Sequence, residues 1–270
     1  MPAKRTSDAS ADAASGGLRL TYVGHATLLV ELDGVRLLTD PLLRGHMGPL
    51  VRYAPPVDLE SLRGVDAVLI SHAHVDHLDV RSLRLLDTSA RLVVARGCGR
   101  VVRRLGFAAV EELDEEDTTT VGRLTIEATP AEHPGKRYPA GRGGVSLGLV
   151  ARGSRSIYFA GDTGLFPEMT RIGPHLDIAC LPVSGWGPTL PDEDHLSPLN
   201  AAKALQLLRP HLAIPVHWGT YAPPYVSRLW KNGGAQPPEA FVRYAHVLAP
   251  DVHVRVLGPG ESLRLDGAAG

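Results

Sequence analysis

The segment Ser71-His72-Ala73-His74-Val75-Asp76-His77 packs three imidazoles and a carboxylate into six positions, directly behind the apolar run Ala67-Val68-Leu69-Ile70. In an extended chain, residues two apart share a face, so His72 and His74 leave the end of a buried strand aimed at one point. Such a pair can share one metal ion. Asp76 and His77 follow where the chain turns into the helix-like stretch 78–86, which sets them beside the first pair and able to hold a second ion. Two ions side by side need a bridging ligand. The plain alternative is a polar loop with surface histidines, but three of the twelve histidines falling this close together favours a metal site.

Three more ligand-type residues stand just past apolar runs. His133 follows the run 124–128, Asp162 follows 156–160 in Gly161-Asp162-Thr163-Gly164, and His217 follows 212–216 in His217-Trp218-Gly219-Thr220. With His72, each ends a strand-like run, so they are expected to gather along one edge of the sheet layers, where loops on a rigid scaffold carry sites.

The surrounding pattern interleaves strands and helices. Strands are expected at 18–23, 26–32, 35–39, 66–70, 91–95, 110–113, 124–128, 145–150, 156–160, 176–183, 212–216, 252–257 and 262–265. Asp33-Gly34 between apolar runs is a hairpin signal. Helices are expected at 101–105, closed by Gly106, at 199–208 behind the cap Ser197-Pro198, and around 239–248. Residues 43–56, with three Pro and two Gly, read as a loop, and 114–117 as a solvated turn. The order strand, turn, strand, aspartate occurs twice, ending at Asp40 and at Asp162, which suggests two similar halves packed face to face. No composition break interrupts residues 18–266, so one layered α/β domain is expected.

Composition narrows the function. A hydrophobic fraction of 44% with 5% aromatics suits an α/β core. A net charge of -1 offers no basic excess to follow a nucleic-acid backbone, so no nucleic-acid partner is expected. Residues 1–17 are Ala/Ser/Asp-rich without an apolar core and read as a disordered tail, not a signal peptide or membrane segment. Cys98 and Cys180 lie far apart, form no zinc or disulfide pattern, and read as buried small residues. A reduced, cytoplasmic setting fits best.

The motif His-x-His-x-Asp-His at His72 to His77 resembles the signature of the metallo-β-lactamase superfamily. Gly24-His25-Ala26-Thr27, Thr39-Asp40-Pro41, Ala160-Gly161-Asp162-Thr163-Gly164 and His217-Trp218-Gly219-Thr220 resemble its branch holding N-acylphosphatidylethanolamine phospholipase D and the ascorbate-6-phosphate lactonase-like proteins. The resemblance implies a four-layer αββα sandwich. It implies that His72, His74 and His133 bind one metal, that Asp76, His77 and His217 bind another, and that Asp162 bridges both.

Seven nitrogen and oxygen ligands without a thiolate suit Zn²⁺, with Mn²⁺ or Fe as alternatives. Two such ions lower the pKa of a shared water towards about 7, and the hydroxide so formed would attack a phosphodiester or a lactone/ester bond of a small-molecule substrate. Asp76 and His195 are the residues expected in catalysis, His195 as a general acid or substrate contact, with an ordinary helix-entry residue as the equal alternative. His25 and Asp40 either support the ligands or make buried structural hydrogen bonds. Trp186, Tyr221, Arg137 and Tyr138 either shape a pocket or pack on neighbours. His46, His175, His211, His246 and His253 have no ligand-like company. Two other readings on the same fold are an iron-dependent oxidoreductase and a non-catalytic metal-binding protein.

Overall fold

The computed structural model describes residues 17–135, 144–185, 194–231 and 237–266. The tail at 1–16 and the stretches 136–143 and 186–193, with the loop residues Arg137, Tyr138 and Trp186, lie outside the described residues.

The first half runs through β1 (Leu18–Gly24), β2 (Thr27–Leu32), β3 (Val35–Thr39), β4 (His46–Met47), β5 (Leu50–Arg52) and β6 (Ala67–Ile70). It continues with α1 (Val80–Leu83), β7 (Arg91–Ala95), α2 (Gly99–Val102) and β8 (Ala109–Leu113). The second half holds β9 (Thr118–Val121), β10 (Leu124–Pro130), β11 (Leu147–Arg152), β12 (Ser156–Phe159), α3 (Met169–Ile172), β13 (Ile178–Pro182), α4 (Pro198–Leu208) and β14 (Leu212–Val216). It closes with β15 (Tyr221–Ala222), α5 (Pro224–Lys231), α6 (Pro237–Leu248), β16 (His253–Val254) and β17 (Ser262–Leu265).

Two seven-stranded sheets result, in the orders β17-β1-β2-β3-β6-β7-β8 and β16-β14-β13-β12-β11-β10-β9. Each has an antiparallel part made of hairpins, joined in the first sheet by β17 pairing back on β1, and a parallel part made of crossovers. The hairpins follow from tight turns: Asp33 and Gly34 take φ of 52° and 77°, the positive values a two-residue turn needs. The crossovers carry the helices, as parallel pairing requires.

Burial alternates with the strand period. Ile157, Phe159, Ile178 and Cys180 join the core shared with the first sheet, whereas Tyr158, Ala179 and Leu181 join a second core under α3, α4 and α6. Leu83 and Val102, from the short helices on the first sheet, are also buried. The layers are therefore helix, sheet, sheet, helix, the αββα arrangement expected from the sequence.

The twofold pattern is present. Asp40 follows β3 and Asp162 follows β12, each the last antiparallel strand before its sheet turns parallel. This is a switch point at strand carboxyl ends, where α/β sheets leave a crevice.

Several expectations need correction. Residues 43–56 are not all loop: β4 and β5 pair with each other and β5 pairs with β15, a small third sheet. The β-branched run Thr118-Thr119-Thr120-Val121 adds β9, as its propensity allows. The helix after the histidine cluster is only α1, because Asp79 caps it by accepting from the Ser82 amide and only short turns follow. Helices α3 and α5 carry no strong capping signal and were not anticipated, and the strand near 252–257 reduces to β16. The cap at Ser197 is as expected, with its side chain accepting from the Asn200 amide and Pro198 opening α4. Among the described residues, no helix is long and apolar enough to cross a membrane.

Candidate metal centre

The carboxyl ends of β3, β6, β10, β12 and β14 deliver Asp40, the histidine cluster, His133, Asp162 and His217 to one place. Their donor atoms, with those of His25, fall into groups in each of which all the donor atoms lie within 4.8 Å of one another: first His72, His74, His133 and Asp162, second His25, Asp76, His77 and His217, and a third, Asp40, His72 and His77, that overlaps the other two.

In the first group, His72 Nε2 and His133 Nε2 each approach His74 Nδ1 to 3.0 Å. The His74 ring stands at 77° to His72 and 82° to His133. The rings meet tip to tip instead of stacking, as they would around a common cation. In the second group, Asp76 Oδ2 lies 3.6 Å from His77 Nε2 and 3.7 Å from His217 Nε2. Asp162 faces both groups: Oδ2 is 3.0 Å from His77 Nε2 and 4.0 Å from His72 Nε2, and Oδ1 is 3.4 Å from His217 Nε2.

The far nitrogens of the rings are held by acceptors, which turns the near ones inward. His77 Nδ1 donates to Asp40 Oδ2 at 2.7 Å. His72 Nδ1 donates to Ser71 Oγ at 2.9 Å, and Ser71 Oγ donates on to Asp40 Oδ2 at 2.5 Å. His133 Nδ1 donates to the Asp194 carbonyl at 2.7 Å. Asp40 thus steadies one imidazole of each group. Three non-glycine residues at the site, His25, Asp40 and His217, have φ of 57°, 31° and 63°. Backbone strain of this kind costs about 1–3 kcal/mol per residue and persists where the surroundings impose it.

The donor set fits a metal. His217 Nε2 and Asp162 Oδ1 are buried without a hydrogen-bond partner, a state that costs about 1–3 kcal/mol per group unless something else engages it, and His77 Nε2 faces the Asp162 carboxylate at 3.0 Å. All three point into the cluster, and nitrogen and oxygen donors without thiolate suit a borderline or hard divalent ion.

Burial holds His72 well below the usual histidine range, lowers His74, and brings His133 and His25 to about 4. Burial acts the same way on His77 and His217, but there Asp162 and Asp76 outweigh it and raise both. Burial pushes the two carboxyls up, yet the surrounding imidazoles hold Asp76 and Asp162 well below the ordinary carboxylate range.

All seven expected ligand residues come together. His195 is beside them: its Nε2 is 3.5 Å from Asp162 Oδ2 and its ring centroid 4.6 Å from that of His133. Asp40 accepts from His77 Nδ1 and from Ser71, contacts that suit both readings of it. His25 is closer than expected, its Nε2 being 3.0 Å from Asp76 Oδ2. Ser71 was missed, although its place between the strand and His72 was a usable signal. Tyr221 lies edge-on to His25 with centroids 6.1 Å apart. His46, His175, His211, His246 and His253 are exposed and outside both groups. Cys98 and Cys180 are free and buried, and burial pushes the Cys180 thiol up.

Two packed mixed sheets with a histidine and aspartate cluster at their carboxyl edge define a metallo-hydrolase of the metallo-β-lactamase fold. The profile of the Beta-lactamase superfamily domain matches residues 35–218, and the chain belongs to this superfamily, among its metal-dependent hydrolases. It is 36% identical over 252 residues to a UPF0173 metal-dependent hydrolase of Methanopyrus kandleri, covering 91% of this chain and 99% of the relative. It is 32% identical over 230 residues to N-acyl-phosphatidylethanolamine-hydrolyzing phospholipase D 1 of Caenorhabditis elegans, covering 76% of this chain and 65% of that protein. Among solved structures, the metallo hydrolase Igni18 of Ignicoccus hospitalis superposes with a TM-score of 0.66 at 26% identity, covering 93% of this chain and 99% of that one.

Proposed function

We propose that the chain is a dinuclear hydrolase acting on a phosphodiester bond, or on a lactone or ester, of a small molecule. His72, His74 and His133 would hold one divalent ion, Asp76, His77 and His217 the other, and Asp162 both. The observation that carries this reading is the placement of Asp162, a 2% exposed carboxylate with donors of both groups within 4.0 Å. Zn²⁺ suits the donor set, with Mn²⁺ and Fe as the other candidates. Bound divalent metal supplies an acidified water near neutral pH and charge stabilisation on a substrate oxygen.

The chain's own residues do the rest. Asp40, Ser71 and the Asp194 carbonyl keep the imidazoles in the tautomers that face inward. His72 and His77, both 0% exposed, form a floor that keeps bulk water from behind the cluster. Asp76 stays ionised and brings a fixed negative charge to the reacting centre. His195, with an 11% exposed side chain, stands on the open side and is the general acid that protonates the leaving oxygen. The similarity to a phospholipase D puts the phosphodiester first among substrate classes.

The test is elemental analysis of purified, metal-loaded protein together with hydrolysis of bis-p-nitrophenyl phosphate, a homoserine lactone, a β-lactam and a phospholipid. Two equivalents of metal and cleavage of the phosphodiester are expected. Fewer than one equivalent after loading would sink the reading, and one iron per chain with oxygen uptake would move it to an oxidoreductase. His195→Ala should slow alkyl esters more than nitrophenyl esters, because nitrophenolate leaves without a proton.

A further inference from the structure

We infer that His25 is a positioning residue for the second donor group, acting through Asp76 and His217 and not as a metal ligand. This rests on the dinuclear reading above, since only a metal makes the placement of those two side chains matter.

His25 touches both partners at once. Its ring Nε2 lies 3.0 Å from Asp76 Oδ2, and its carbonyl accepts from the His217 amide at 2.7 Å. The His25 and His217 rings are in contact, tilted 43° to each other with centroids 4.0 Å apart. Its own amide donates to Thr220 Oγ1 at 2.7 Å, so the β1–β2 turn is tied to the segment that carries His217. The backbone is forced into this place. His25 has φ of 57°, and Gly24 before it has φ of 133° with Thr220 atoms 2.9 Å from where a Cβ would stand. Only glycine fits there, and the turn it permits presents the His25 ring to Asp76.

The contrast with the ligand nitrogens sets the role. His77 Nε2 and His217 Nε2 face Asp162, the carboxylate common to both groups, at 3.0 and 3.4 Å, whereas His25 Nε2 is hydrogen-bonded to Asp76 at 3.0 Å. An imidazole that donates Nε2–H to a carboxylate has no lone pair on that nitrogen for a metal. What it does is fix the rotation of the carboxylate, as outer hydrogen bonds to metal-bound carboxylates do. Two of the three side chains peculiar to the second group are thereby set by one residue.

The experiment is zinc titration of wild type, His25→Ala and His25→Gln against a competing chelator, with melting curves of the metal-free proteins. In His25→Ala the first equivalent should bind as in wild type and the second roughly 10–100-fold more weakly. His25→Gln keeps an N–H donor and should recover most of that loss. Three results would overturn the inference: wild-type affinity for both equivalents in His25→Ala; equal weakening of both with a lower melting point, which marks a purely structural role; or no recovery in His25→Gln, which marks a ligand. Wild-type protein that binds less than one equivalent would instead overturn the dinuclear reading on which it stands.

Discussion

The two donor groups share Asp162 and lie on the same sheet edge, yet they are held in opposite electrical states. In the first, burial lowers all three of His72, His74 and His133, and Asp162 is the one carboxylate present. In the second, burial would do the same to His77 and His217, but Asp162 and Asp76 flank them and raise both. Burying imidazoles alone yields neutral ligands. Burying them between carboxylates yields ion pairs, whose protons have to leave before a cation can take the same lone pairs.

The largest expected effect breaks the comparison at its shared member. Asp162→Ala removes the carboxylate that both groups face, so metal content should fall below one equivalent and hydrolytic activity by more than about 100-fold, beyond the usual cost of losing an outer-shell contact. His133→Ala and His217→Ala should each leave one equivalent, a different one in each case. Elemental analysis and metal titration decide this, and loss of both ions from either single variant would mean that the groups are one site.

A smaller effect sharpens the electrical difference. Between pH 6.5 and 8, zinc filling the first group should release few protons, because burial already holds His72, His74 and His133 neutral. Filling the second should release more protons, from His77 and His217, because Asp162 and Asp76 raise both above the usual histidine range and so favour their charged forms in the metal-free protein. Affinity for the second equivalent should therefore rise with pH across this window, while the first stays nearly flat. Dye-monitored proton release during stepwise metal addition reads both at once; equal release at the two steps would contradict the comparison.

How legible these groups are in the sequence follows from how local they are. The alternation His72-x-His74 behind a strand, the Asp33-Gly34 turn and the Ser197-Pro198 cap depend on neighbours in the chain, and each is where the sequence puts it. His133, Asp162 and His217 could only be nominated from strand ends, since nothing local says which strands are adjacent. The second group was the less legible. His25 stands 51 positions from Asp76 and reaches it through the pairing of the two halves, which no periodicity encodes. The β4-β5-β15 sheet was hidden for the same reason: β5 and β15 meet only once the chain has folded back.

The smallest effect separates the groups at their common support. Asp40 accepts directly from His77 and reaches His72 only through Ser71. Ser71→Ala cuts the second path and leaves the first intact. His72 Nδ1–H then has no acceptor in a 0% exposed position, an unmet donor worth about 1–3 kcal/mol, and the ring is free to adopt the tautomer that presents a proton to the cluster. The packing change is slight, because the Ser71 side chain sits against Gly161, where an added Cβ would come within 2.7 Å of Ser71 Cβ, and alanine keeps that Cβ. The first equivalent of zinc should weaken about 10-fold, at the low end for an outer-shell loss, and the second should bind as in wild type. Competition titration at pH 7.5 measures the two separately. If the second weakens with the first, Asp40 couples the groups through its own position, and the difference between them is one of protonation alone and not of support.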